Sequence, residues 1–111
     1  MFSFLRRLGG PQLDVQELEA LLAQDAVRVL DVREDAEFKS GHLPGAIHVP
    51  VKQLTKRVDR LKRDKPYAVI CASGSRSRGA TRFLLDHGFE GTRSVSGGTR
   101  AWARGGRPLV R

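Results

Sequence analysis

From residue 13 onward, apolar residues recur at helical and strand spacings in turn. Leu13-Asp14-Val15-Gln16-Glu17-Leu18 carries the start signal of a helix. Asp14 can cap the first free N–H groups, Glu17 three residues on completes a capping box, and Leu13 can staple onto Leu18. Val15, Leu18, Leu21 and Leu22 then share one helical face. Val27–Val32 is rich in β-branched residues and reads as a strand. Glu34–Lys39 reads as a short helix closed by Gly41. His42-Leu43-Pro44-Gly45 has turn chemistry, and Ala46–Val49 is a second short strand. Gln53–Lys62 sets Leu54, Val58 and Leu61 at i, i+4 and i+7 among basic residues, which predicts a surface helix. Tyr67–Cys71 is a continuous apolar run, as expected of a strand covered on both faces. Arg76–His87 puts Ala80, Phe83, Leu84 and His87 on one stripe, with Gly88 as the stop. Thr92–Val95 is a weak strand. Gly98–Arg104 is a last short helix around Trp102, ended by Gly105-Gly106. Strands and helices alternate. That order predicts an α/β fold, a parallel sheet flanked by helices on both faces.

The 111 residues fit one domain, and 40% apolar content excludes wholesale disorder. The longest apolar run, around Ala68–Ala72, is far short of the ~20 residues that span a membrane. One cysteine excludes an intramolecular disulfide and points to a reducing, cytoplasmic compartment. In the opening MFSFLRRLGG the apolar stretch precedes Arg6-Arg7, the reverse of a secretory signal. Residues 1–11 are expected to be a flexible tail, or one amphipathic turn, ahead of a domain over residues 12–111.

Charge is uneven within the total of +8. Residues 1–51 carry net −3, residues 52–65 net +5 and residues 66–111 net +6. The second half would attract anions. No helix-turn-helix, zinc-finger or RNP-like signature accompanies the charge, so nucleic acid is not the expected partner. A small anionic substrate suits the field, and so does an acidic protein partner. His42, His48 and His87 match no metal-ligand spacing with Cys71, and no metal is expected.

The chemistry concentrates in Cys71-Ala72-Ser73-Gly74-Ser75-Arg76-Ser77-Arg78, between a buried strand and an amphipathic helix. Ligands of parallel α/β sheets bind at the carboxyl ends of strands. A loop of small residues, with Gly74 free to take positive φ, can turn successive N–H groups inward as an anion nest. The next helix adds its N-terminal N–H groups, and Arg76 and Arg78 add charge. All of these favour a thiolate, so the pKa of Cys71 should lie below the free value of ~8.5. Two readings stand at this point: a nucleophile, or an inert cysteine buried at a strand end. Spacing bears on the choice of chemistry. Cysteine-dependent phosphatases use C-x5-R around a phosphoryl group. Here the spacing is C-x4-R, with Ser77 at the position that would complete C-x5-R. The shorter loop suits something smaller, such as a sulfur atom carried on Cys71.

The chain resembles the single-domain rhodaneses, a sulfurtransferase family. Val29-Leu30-Asp31-Val32-Arg33-Glu34, Glu37-Phe38 and Gly41-His42-Leu43-Pro44-Gly45-Ala46-Ile47-His48-Val49-Pro50 resemble its N-terminal signatures. Cys71 to Arg76 resembles its six-residue active-site loop. Val95-Ser96-Gly97-Gly98, Ala101-Trp102 and Gly105-Gly106-Arg107-Pro108 resemble its C-terminal signature. The resemblance implies a five-stranded parallel sheet and a ping-pong cycle without metal or organic cofactor. Cys71 would take sulfane sulfur from a donor such as thiosulfate and pass it to cyanide or a thiol. The backbone of Ala72, Ser73, Gly74, Ser75 and Arg76 would hold the persulfide, with Ser77 and Arg78 in support. The residue after the cysteine is often basic in thiosulfate-using members; here it is Ala72. The alternative is a non-catalytic or sulfur-carrier module that docks a partner through its basic face.

Asp31 and Arg33, at a strand end, are expected to support the site structurally, Asp31 by accepting loop N–H bonds and Arg33 by pairing with a carboxylate. His42 is expected to be a hydrogen-bonding residue of its turn, Trp102 to pack on the sheet, and Gly97-Gly98 to let backbone approach the loop.

Overall fold

A computed structural model describes residues 10–111. The chain forms β1 (Gln12–Leu13), α1 (Val15–Ala23), β2 (Arg28–Asp31), α2 (Asp35–Ser40), β3 (Ile47–His48) and α3 (Val51–Arg57), which runs into a 3-10 turn (Val58–Arg60). It continues as β4 (Tyr67–Ile70), α4 (Ser75–Asp86), β5 (Arg93–Val95) and α5 (Gly98–Arg104). The five strands make one sheet in the order β1-β5-β4-β2-β3, and every pairing is parallel. β4 is central and all four of its residues are buried, which is why it reads as an unbroken apolar run.

The period of two along β2 and β4 divides the core. Leu30, Val32, Tyr67 and Val69 meet Leu54, Val58 and Leu84 on the face covered by α3 and α4. Val29, Ala68 and Ile70 meet Leu18, Leu43 and Trp102 on the face covered by α1 and α5. Asp14 caps α1 as expected: it accepts the Glu17 N–H at 2.8 Å, and Glu17 reaches back to the Asp14 N–H.

One strand has no counterpart in the sequence pattern, and two local readings need correction. The fifth strand, β1, is two residues long, too short to show a period. It exists because Gln12 and Leu13 pair with Ser94 and Val95 of β5. The carbonyl of Pro11 also accepts the Ser94 N–H at 2.9 Å. The remainder of the expected tail, residues 1–9, lies outside the described residues. First, the single helix expected over 53–62 starts earlier, after Pro50, and tightens at Val58. A 3-10 turn eclipses positions i and i+3, so Leu61 stays over the same apolar cluster as Val58. Second, His87 leaves the apolar stripe of α4 and is exposed, while Ser77 and Thr81 join Ala80 and Leu84 on the buried face. Among the described residues no helix is long and apolar enough to cross a membrane.

Candidate active site

β4 ends at Ile70 and delivers Cys71 to the carboxyl edge of the sheet beside β2, where the Val32 N–H donates to the Ile70 carbonyl. The chain must then reverse direction to start α4. Gly74 makes that turn with φ 105 and ψ −10, a left-handed conformation that a side chain would strain. The turn aims N–H groups back at the cysteine. Sγ receives the Gly74 N–H at 3.1 Å and the Ser77 N–H at 3.4 Å. The Ser77 hydroxyl lies 3.6 Å from Sγ, donates to the Gly74 carbonyl at 3.1 Å, and meets the Ser94 hydroxyl at 2.7 Å. In the thiol state the S–H donates to Ser77 Oγ. On ionisation the hydroxyl can turn its single proton to the sulfur.

Two opposed effects set the acidity of this thiol. Burial, with Cys71 at 0% exposure, pushes its pKa up. The Ser77 hydroxyl and the N–H groups of Ser77, Gly74 and Ser73 push it down, and they prevail, so the thiol is more acidic than usual.

Two further contacts hold the loop. Behind it, the N–H groups of Thr99 and Arg100 donate to the carbonyls of Cys71 and Ala72 at 2.8 and 3.1 Å. Gly98 permits that approach. A Cβ built there would overlap the Cys71 oxygen and the Ala72 carbonyl, and φ is +59. In front, Arg76 is turned onto Glu37 of α2 in a two-pronged ion pair at 2.7 and 2.9 Å. Arg76 and a backbone N–H hold the Glu37 carboxyl down at about 2, even though partial burial opposes this. The same pair raises the pKa of Arg76.

Asp31 and Arg33 support that frame and bond to neither the loop nor Sγ. Arg33 is buried, grips Asp31 through Nε and Nη2, and donates to the carbonyls of Gly41 at 2.8 Å and Glu37 at 3.2 Å. It thus ties the end of β2 to the middle of α2 and to the residue that closes it. His42 Nδ1 pairs with the Phe38 carbonyl at 2.7 Å, and its ring stacks on Phe38. Trp102 is buried on the sheet and donates to the Pro108 carbonyl at 2.8 Å.

Ala72, Ser73, Ser75 and Arg76 lie in the loop and the first turn of α4 as the sequence places them. Arg78 stands on the other flank. Its side chain is exposed and lines a polar cavity of about 180 Å³ with Ser73, Gly74, Ser94, Ser96 and Gly97. Sequence reasoning missed two contributors. Glu37 was read only as part of a motif, although a carboxylate partner is the usual destination of a half-buried arginine. Ser94 lies in a weak strand and carries no local signal. Among the described residues no group of three or more His, Cys, Asp and Glu side chains converges as a metal site.

The model of the rhodanese-like domain matches residues 14–104. The chain belongs to the rhodanese-like family. It is 31% identical over 97 residues to a thiosulfate sulfurtransferase, GlpE, of Vibrio cholerae, a match covering 87% of this chain and 92% of that protein. A rhodanese-related protein from Thermoplasma volcanium superposes with a TM-score of 0.84 at 37% identity, covering 90% of this chain and 97% of that one. A human single-domain sulfurtransferase, TSTD1, superposes with a TM-score of 0.77 at 28% identity, covering 85% and 96%. The five-stranded parallel sheet is the one these rhodanese-like structures share.

Proposed function

We propose that this rhodanese-like protein is a sulfurtransferase that carries sulfane sulfur as a persulfide on Cys71. The observation that carries this reading is the N–H cradle of Gly74 and Ser77 around the only thiol of the chain. In the first half-reaction the Cys71 thiolate attacks the outer sulfur of a donor such as thiosulfate. The S–S bond of the donor breaks, an S–S bond to Cys71 forms, and sulfite leaves with the electron pair. In the second half-reaction cyanide or a thiolate attacks the terminal sulfur, and Cys71 leaves as thiolate. Charge and electrons balance in both halves, and no metal or organic cofactor takes part.

The residues divide the work by position. N–H groups and the Ser77 hydroxyl stabilise negative charge on sulfur, in the manner of an oxyanion hole. Arg76 is neutralised by Glu37, so it acts mainly by holding the loop. Arg78 has no ion-pair partner among the described residues and faces the small polar cavity, so it is the cation available to an anionic donor. That assignment compensates for Ala72, which brings no charge. The C-x4-R spacing favours sulfur over phosphoryl chemistry, because Ser77 addresses the sulfur where a phosphatase arginine would stand. A lone thiol that works as a nucleophile also fits a reducing, cytoplasmic setting.

Mass spectrometry after incubation with thiosulfate tests the proposal. The expected result is an adduct of about 32 Da, one sulfur atom, removed by dithiothreitol and absent from Cys71→Ser. A wild-type protein that stays unmodified, or a Cys71→Ser variant that still turns over thiosulfate and cyanide, would overturn it.

A further inference from the structure

The far end of the sheet carries a second concave feature, which the sulfur chemistry does not use. A cavity of about 350 Å³ opens beside Arg28 and Tyr67, the first residues of β2 and β4, which are partners in register. Cys71 follows the opposite end of β4, about 13 Å away at the rise of a strand. The floor of the cavity is apolar and built from Ile47, Val49, Leu61 and Tyr67. Its rim is cationic and built from Arg28, Arg57, Arg60 and Lys62.

The charges on this rim are not equivalent. Arg28 is neutralised by Asp64 in a two-pronged pair at 3.1 and 2.8 Å. Arg57 is positioned by neutral acceptors only, the His48 carbonyl at 3.4 Å and the Gln53 amide oxygen at 3.3 Å. Arg60 and Lys62 have no carboxylate partner among the described residues, and the nearby Asp59 pairs with none of the three. Arg57 ends α3 and Arg60 ends the 3-10 turn that follows it, so both border the cavity from one continuous stretch. Three cations without a carboxylate partner among the described residues thus line a cavity with an apolar floor, in a volume at the small end of ligand sites.

We propose that this cavity is a binding site for a small amphipathic anion, a ring or short apolar body bearing one sulfonate, carboxylate or phosphate group. A concave site of one sign concentrates anions. The apolar floor needs a body to cover it, which an inorganic anion lacks. The rim needs a charge, which a neutral apolar molecule lacks. The site is separate from the sulfur loop, so an occupant does not compete with the donor.

The probe is 8-anilino-1-naphthalenesulfonate, whose fluorescence reports entry into an apolar site, with N-phenyl-1-naphthylamine as its uncharged analogue. The wild-type protein should bind the anionic probe at one site. Arg57→Glu/Arg60→Glu should weaken it by about tenfold or more, as for loss of charge-assisted contacts. Lys52→Glu/Lys56→Glu makes the same change of net charge outside the cavity and should alter binding by less than about twofold, since exposed charges are screened. The uncharged analogue should bind both double variants alike, and circular dichroism should show each variant folded. Millimolar thiosulfate should not displace the probe. Unchanged binding in Arg57→Glu/Arg60→Glu, an equal loss in Lys52→Glu/Lys56→Glu, or displacement by thiosulfate would overturn the proposal. None of these outcomes depends on whether Cys71 transfers sulfur.

Discussion

Glu37 closes the sulfur loop through Arg76. Both carboxylate oxygens meet guanidinium nitrogens, at 2.7 and 2.9 Å, across a separation of 39 residues. The pair anchors the first turn of α4 to α2, and α2 is in turn bound to the end of β2 by the buried Arg33–Asp31 pair. The loop that cradles Cys71 is therefore held from the front by ionic contacts and from behind by the N–H groups of Thr99 and Arg100.

This clamp makes separable predictions for its two members. Arg76→Ala should lower kcat/KM for thiosulfate by about 10- to 100-fold, the scale expected when a positioned catalytic loop is displaced. Arg76→Lys should restore part of the loss, because a point charge cannot copy the guanidinium fork. If Arg76 worked as a bare cation, Glu37→Gln would release it and raise the rate. Action through the clamp instead requires Glu37→Gln to slow transfer and to speed alkylation of the buried Cys71 by iodoacetamide. Steady-state rates and alkylation kinetics on the same variants decide between the two.

Acid should loosen the same contact. The pKa of Glu37 is held at about 2, below the ordinary 4.5, chiefly by its hydrogen bonds with Arg76. A depressed carboxyl pKa adds stability that is fully present above the unfolded value and disappears as pH falls through the folded one. The contribution should fade from near pH 4.5 down to near pH 2. Urea midpoints measured across that window should fall more steeply for the wild type than for Glu37→Gln. Parallel curves would remove Glu37 from the account.

The thiol shifts in the same direction as the Glu37 carboxyl. Its donors favour the thiolate, so the Cys71 midpoint should lie below that of a free cysteine. Thiolate absorbance near 240 nm and the pH dependence of kcat/KM should rise together through that midpoint. Ser77→Ala removes the hydroxyl 3.6 Å from Sγ and keeps the N–H, so it should move the midpoint upward without abolishing the transition. A midpoint in Ser77→Ala equal to that of the wild type would show that backbone donors alone set the acidity.

Gly98 offers a test of the loop's rear support. Alanine there meets both a left-handed φ and the carbonyls of Cys71 and Ala72. Gly98→Ala should cost about 2–4 kcal/mol of stability, as for strain imposed on a packed backbone. Gly106→Ala shares the positive φ but has open space around its Cβ position, and should cost less. Chemical denaturation of both variants checks the difference.

Much of the molecule was legible before any coordinates, for a local reason. The capping box of α1, the apolar run of β4 and the stop at Gly41 are written within a few residues, at distances where backbone sterics and side-chain caps act. The small-residue loop from Cys71 to Arg76 was legible on the same terms, since a tight anion-binding turn needs those residue types in sequence. The features that remained hidden all join distant segments. β1 has no period of its own and exists through its partner β5. Glu37 meets Arg76 and Ser94 meets Ser77 only because parallel crossovers bring the carboxyl ends of β2, β4 and β5 to one edge. Even the basic run over 52–65, plain as charge, acquires a concave shape and an apolar floor only when α3 lies across β2, β3 and β4. Spacing along a chain sets which short elements can form, but which side chains face one another depends on the order in which the sheet assembles them.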